Sequence, residues 1–314
     1  MSRKKQLPKW LALLLVLVLG LLLIITLLKP SNHNSGSGDL LDRRVEKPVA
    51  PPITSKDAKP EVMAEEIEPE IETPLAQRVE SGLAFVLDDV GYDMPALRRI
   101  LDLSIPVAIA VIPDAPYAEE AAILAHEKGQ VVMLHLPMEP TSEKYRKKMT
   151  PYFLHEKMDR MTLRESFLKS LTKVPYVEGV NNHMGSYLTE LSEPMRWVMQ
   201  LCREKELFFI DSKTSNKSVA AEMAETMDVA WASRQIFLDH DLDPEAMQAA
   251  WQKAESCLAK GYRCVVIGHP HKETVAFLEA QISRASLDTL IPVSQLLRGG
   301  ESTVQAKATT AELM

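Results

Sequence analysis

The chain of 314 residues has only three cysteines, Cys202, Cys257 and Cys264. None lies in a Cys-x-x-Cys pair or at zinc-finger spacing, which excludes a disulfide-framework fold and a cysteine-ligated zinc module. They read best as buried thiols, with a Cys257–Cys264 bridge left open for a domain outside the cytoplasm. Positive charge is also short. Lys+Arg number 36 against 43 Asp+Glu, which leaves a formal charge of −7 and a pI near 5.7. That balance speaks against a nucleic-acid partner, whose contact face needs a surplus of cations. Three catalytic signatures are missing as well: a Gly-rich phosphate loop, a Gly-x-Ser-x-Gly elbow and a His-Glu-x-x-His helix. What remains is 46% apolar and 25% charged, the composition of an ordinary globular protein long enough for one large domain or two modest ones.

The N-terminus carries the strongest local signal. Leu11 to Leu28 contains no charge, and only Gly20 and Thr26 interrupt its aliphatic run. A helix of that length spans roughly 27 Å, close to the hydrocarbon core of a bilayer. Arg3, Lys4, Lys5 and Lys9 precede it and Trp10 sits at the interface position, so the expected topology is a cytoplasmic tail (1–10), an uncleaved single-pass anchor (11–28) and the bulk of the chain outside the cytoplasm, periplasmic in placement. A cleaved signal peptide would end in small residues, whereas this run ends Ile24-Ile25-Thr26-Leu27-Leu28-Lys29-Pro30. Residues 29–80 read as a Pro/Glu-rich linker. Seven prolines from Pro30 to Pro74, Ser35-Gly36-Ser37-Gly38 and six glutamates between Glu61 and Glu72 leave too little apolar surface to offset ordering entropy.

From Leu83 the pattern changes. Seven short apolar runs, Leu83–Leu87, Val107–Ile112, Val131–Leu134, Val177–Val180, Leu207–Ile210, Val229–Trp231 and Cys264–Ile267, alternate with longer amphipathic stretches. Their near-continuous apolar character is that of parallel strands buried on both faces. Helix starts are expected at a Thr162–Glu165 capping box, at Ser192-Glu193-Pro194 and at Asp243-Pro244-Glu245. The fold class is therefore α/β, an irregular (β/α) barrel of about seven strands over residues 81–300, with a disordered tail at 301–314; a doubly wound open sheet is the alternative.

The polar residues recur at one place. Five runs end in Asp88-Asp89, in His135, in Asn181-Asn182-His183, in Asp211 and in Gly268-His269-Pro270-His271. In either fold the C-terminal strand ends share one face, which carries the active site. Each residue also has a plainer reading. Asp88 or Asp89 could cap a helix near Met94, and His135 could be an interior imidazole. Asp211 could cap a helix near Ser218 or orient a histidine. His271 and the Asp239-His240-Asp241 cluster suit caps and turns, and His33, His126 and His155 have no assigned role. Taken together, one carboxylate and two imidazoles make a first coordination sphere for a divalent metal with open positions. A second carboxylate could act as base and a further histidine as acid, the outfit of amide or ester hydrolysis.

At these residues the sequence resembles the divergent polysaccharide deacetylase family, relatives of the NodB-type carbohydrate esterases. The likeness rests on Val86-Leu-Asp-Asp-Val-Gly91, His135-Leu-Pro-Met-Glu-Pro140, Gly179-Val-Asn-Asn-His-Met-Gly-Ser186, Phe209-Ile-Asp-Ser-Lys-Thr214 and Gly268-His-Pro270, and covers roughly Leu83 to Leu297. The resemblance implies Asp88 as catalytic base, His269 as general acid, Asp211 as the residue that orients it, and Asp89 and His135 as ligands of a divalent metal, zinc in first place. Where the NodB pattern has a second histidine four residues after the first, this chain has Glu139; His183 or Glu139 must complete the set, and His183 is preferred as a neutral nitrogen donor. The arginine-proline pair of the fourth strand is replaced by Asn-Asn-His-Met-Gly-Ser. The implied activity is removal of acetyl or similar acyl groups from an envelope carbohydrate. The alternatives are a catalytically silent carbohydrate-binding barrel and a glycosidase built on Asp88 and Asp211.

Overall fold

A computed structural model describes residues 78–282 and 289–300. The expected anchor at 11–28, nearly all of the linker and the tail at 301–314 lie outside these residues. Among the described residues no helix is long and apolar enough to cross a membrane.

Seven parallel strands close into a barrel in sequence order, which settles the architecture against the open sheet. They are β1 (Gly82–Val90), β2 (Val107–Val111), β3 (Val132–Met138), β4 (Val177–Met184), β5 (Phe208–Asp211), β6 (Trp231–Phe237) and β7 (Arg263–Gly268). Among the described residues eight helices are interleaved: α1 (Met94–Leu101), α2 (Ala118–Glu127), α3 (Glu143–Arg146), α4 (Arg160–Leu171), α5 (Ser192–Glu204), α6 (Ala220–Thr226), α7 (Pro244–Ala259) and α8 (Lys272–Ile282). Closure comes from β1 pairing with β7, from Gly82↔Arg263 to Leu87↔Gly268.

Alternation along each strand divides the core in two. Leu83, Phe85, Leu87, Val107, Ile109, Val132, Leu134, Phe209, Cys264 and Val266 face the helices. Ala84, Val86, Ala108, Ala110, Met133, Phe208, Ile210, Ala232, Val265 and Ile267 fill the lumen. Gly179 belongs to the lumen series because a Cβ there would meet the Phe208 ring at 2.1 Å. The segment after α8 plugs the N-terminal end of the barrel: Val293, Leu296 and Leu297 join the lumen cluster, and Ile291 N–H donates to the Leu83 carbonyl. The lumen is therefore packed with apolar side chains below, which leaves its C-terminal end for chemistry.

Several local expectations change. α4 begins at Arg160, with Asp159 rather than Thr162 as its cap; the Asp159 carboxylate accepts the Thr162 N–H at 2.8 Å. Ser192 lies inside α5, whose cap position is Leu191 and carries no side-chain bond. Asp243 caps α7 as expected, accepting from Glu245 N–H at 2.9 Å. Asp93 caps α1, which frees Asp88 and Asp89 from that role. The sixth strand starts where the expected one ends, at Trp231, because polar Ser233, Arg234 and Gln235 hide an otherwise ordinary barrel strand from a search for apolar runs.

Cys257 and Cys264 are joined, correcting the reading of all three cysteines as thiols; Cys202 alone is free and buried. The bridge pins the last turn of α7 to β7, with the two Cα atoms 6.1 Å apart. The two cysteines flank a helix end and its turn, an antiparallel return that brings them face to face. Closing so short a loop restricts the unfolded chain modestly, by about 2 kcal/mol. Replacing Cys257 by serine, or adding a reductant, is expected to lower the urea midpoint accordingly, while a Cys202→Ala chain should keep its response to reductant.

Candidate active site

The lumen series continues past the apolar layers into polar residues. On β3 it runs Met133, His135; on β4, Gly179, Asn181, His183; on β1, Ala84, Val86, Asp88. Asp89 would fall on the helix side by simple alternation. It does not, because β1 has one more residue than β2 between Leu87↔Ile109 and Val90↔Val111, and Asp89 occupies the left-handed region at φ 56°. The bulge turns the second carboxylate towards the same opening as the first.

Three side-chain atoms converge there. Asp89 Oδ1 lies 3.0 Å from His135 Nε2 and 2.8 Å from His183 Nδ1, and the two ring nitrogens are 3.2 Å apart. Asn181, a register partner of His135 across β3–β4, decides how these atoms are used. Its amide nitrogen donates to Asp88 Oδ1 at 2.7 Å, so its oxygen is the atom facing His135 Nδ1 at 2.8 Å. His135 must carry a proton on Nδ1 to satisfy that oxygen, which directs its Nε2 lone pair into the cluster when the ring is neutral. Ser212 Oγ, 3.2 Å from the same amide nitrogen, closes the network. The environment is strongly coupled. Burial opposes charge on Asp89, yet its hydrogen bonds to His135 and His183 hold its carboxyl far below the usual range. Burial pushes Asp88 up against the pull of His135 and His269. His135 is raised: burial favours the neutral ring, but Asp88 and Asp89 outweigh it.

Across the opening stands His269, directly after β7. Its Nδ1 meets Asp239 Oδ1 at 2.9 Å, its own N–H donates to Asp239 Oδ2 at 2.6 Å, and Thr274 Oγ1 donates to the same oxygen at 2.8 Å. Asp239, expected only as a cap or turn residue, is therefore the partner of this imidazole. Asp211 is not. It falls in series with Phe209, on the helix side of β5, and its Oδ1 accepts the Lys213 N–H at 2.8 Å. By alternation Asp88 follows Val86 in the lumen series and Asp211 follows Phe209 in the helix series, which weighs against the glycosidase reading. Burial opposes protonation of His269, but the bond to Asp239 and the charges of Asp239, Asp89 and Asp88 raise it to about 9.

Glu139 is turned away from the cluster. Its carboxylate accepts from Glu156 N–H at 2.9 Å and pairs with Arg146 at 3.2 Å. His183 stands where the open choice between the two needed a third ligand. Asp89, His135 and His183 have the donor types and mutual spacing to hold a divalent cation, and Asn181 fixes the tautomer of His135. Asp239, His269 and His271 also lie within reach of one another, but both Asp239 oxygens are already committed to His269 and Thr274, which marks a carboxylate–imidazole pair.

Comparison with known proteins places this closed parallel barrel and its polar end. Residues 85–297 match the profile of the divergent polysaccharide deacetylases, and the chain belongs to that family. It is 33% identical over 216 residues to the uncharacterized protein YibQ of Escherichia coli (strain K12), covering 68% of this chain and 67% of that one. An uncharacterized protein of Haemophilus influenzae is 34% identical over 201 residues, 64% of this chain and 71% of the other. Among solved structures, the uncharacterized protein ATU2773 from Agrobacterium tumefaciens C58 shares the fold with a TM-score of 0.65 at 16% identity, covering 70% of this chain and 91% of its own.

The His269–Asp239 pair has a defined pH signature. The folded value near 9 lies above the ordinary 6.5, so its contribution to stability is complete below about 6.5 and is lost as pH rises through about 9. Asp239→Asn should return the His269 ring resonance, followed by NMR, to a midpoint at least one unit lower; an unchanged midpoint would show that Asp239 does not set it.

Proposed function

We propose that the protein is a divalent-metal-dependent hydrolase that removes acetyl or similar acyl groups from an envelope carbohydrate. It acts outside the cytoplasmic membrane, on a tether formed by residues 11–28 and 29–80. The observation that carries the activity is the convergence of Asp89 Oδ1, His135 Nε2 and His183 Nδ1, with Asp88 on one side and His269 on the other. Two nitrogens and one carboxylate oxygen suit zinc. The Cys257–Cys264 bridge supports the extracytoplasmic placement, since thiols persist as thiols in the cytoplasm.

A cation held by the three residues would supply Lewis acidity toward the acyl carbonyl. The chain's own groups do the rest. Asp88, buried and 3.7 Å from His135 Nε2, is the base that takes a proton from the attacking water. Asn181 holds both Asp88 and His135, so the base and one ligand keep a fixed separation. His269, protonated at neutral pH through Asp239, delivers a proton to the departing amine or alcohol as its bond to the acyl carbon breaks. Half-exposed Tyr92 stands close enough to Asp89 to feel its charge and offers a ring face at the rim for a sugar.

Elemental analysis of the purified chain should find about one zinc or similar ion per protein, lost in Asp89→Ala and in His183→Ala; full occupancy in both would remove this ligand set. Asn181→Leu should keep the ligands but weaken the metal by roughly 10- to 100-fold in a chelator competition. Acetate release from acetylated glycans should require the metal and fall at least about 100-fold in Asp88→Asn. Release that is equal in the two proteins would refute Asp88 as base.

A further inference from the structure

Arg234 continues the lumen series of β6 after Ala232 and pairs in register with lumen-facing Val265. A guanidinium at the top of a barrel lumen needs compensation, and three contacts hold it. Its Nε donates to the Ser212 carbonyl at 2.7 Å, its Nη2 to the Lys213 carbonyl at 2.8 Å, and its plane lies over Phe237, 3.7 Å from the ring centroid. Phe237 in turn stacks on His269, with centroids 6.1 Å apart. One edge of the fork is thus anchored on main-chain oxygens and one face on an aromatic ring, next to the imidazole of the site.

Among the described residues no carboxylate forms an ion pair with Arg234. Asp211 and Asp88 are the carboxylates whose charge Arg234 feels, yet neither lies within ion-pair distance. Asp88 is engaged by Asn181, and Asp211 by the Lys213 N–H. Among the described residues Nη1 has no hydrogen-bond acceptor, and the side chain is only partly buried. A rigid, half-buried guanidinium with an open end edge matches the planar, two-oxygen geometry of a carboxylate. Asp211 and Asp88, whose charges reach it, would repel a doubly charged group more than a singly charged one.

We propose that Arg234 is a substrate-binding residue that reads a carboxylate, and that the carbohydrate accepted here carries a carboxylate on the sugar neighbouring the acylated one. This rests on the deacylase reading for the identity of the cleft, but it can be tested without turnover. The probe is an N-acetylated, uronate-containing oligosaccharide, hyaluronan tetrasaccharide, compared with the same tetrasaccharide after reduction of its carboxylates to hydroxymethyl groups. Titration calorimetry on the full chain should show the acidic form binding about tenfold more tightly, the scale of one charge-assisted hydrogen-bonded pair. Arg234→Gln should abolish that preference while leaving the affinity for the reduced form unchanged. Arg234→Lys, which keeps the charge without the fork, should retain part of it and guards against loss of fold in the glutamine variant. Equal affinity of the wild-type chain for both forms, no binding of the acidic form, or a Gln variant that weakens both forms alike would overturn the proposal. The last result would leave Arg234 as a clamp on the Ser212–Lys213 turn. A preserved charge preference without acetate release would instead count against the deacylase reading alone.

Discussion

Everything at the open end of this barrel depends on the two-residue alternation of strands buried on both faces. A parallel strand in a closed barrel has no solvent side, so each residue must satisfy either the helix layer or the lumen. The lumen is filled by Ala84, Val86, Ala108, Ala110, Met133 and their neighbours up to one level, and above it the same series becomes Asp88, His135, Asn181, His183 and Arg234. Polar groups are thereby delivered at a common height and aimed inward. Asn181 is the point where they are tied together, because one amide donates to a carboxylate and accepts from an imidazole on two other strands. Burying that amide unpaired would be costly, so each partner also stabilises the orientation of the others.

Much of this was legible in the sequence because buried strands leave a compositional trace. Six of the apolar runs fell on strands and the seventh reached only the first residue of β6, and the polar residues at the strand ends located the site. What was hidden follows from facing rather than from position. Asp211 and Asp239 both follow apolar runs, yet only Asp239 reaches His269. Asp211 shares the phase of Phe209, whereas Asp239 follows a strand whose polar middle obscured its phase. Asn181 lay within a recognised motif, but its part could not be read without knowing that His135 sits opposite it across the β3–β4 pair. Ser192 and Thr162 carried the right residue types for caps and lost to Leu191 and Asp159, because helix starts are fixed by where packing lets the first turn form. The disulfide escaped for a related reason: seven residues of sequence separation say nothing about whether a helix end and a strand return side by side.

The two imidazoles of the site show how one residue type is set to opposite tasks by its partners. His135 Nδ1 meets a neutral amide oxygen, which fixes the tautomer and leaves the Nε2 lone pair of the neutral ring for a cation held beside Asp89. His269 Nδ1 meets a carboxylate that also accepts from the His269 main chain and from Thr274, which favours the charged ring. Under the proposed function the first ring would hold a cation and the second would deliver a proton to the leaving group.

The backbone at Asp89 has a consequence for how this protein can change. Its φ of 56° is a conformation that glycine adopts freely and a side chain adopts at a cost of about 1 kcal/mol or more. The residue that aims a carboxylate into the site is therefore also one the fold would exchange for glycine to relieve strain. Selection for stability and selection for the ligand set pull in opposite directions at this single codon. A lineage released from the need for the site would be expected to drift first here, losing its chemistry while its barrel became more robust.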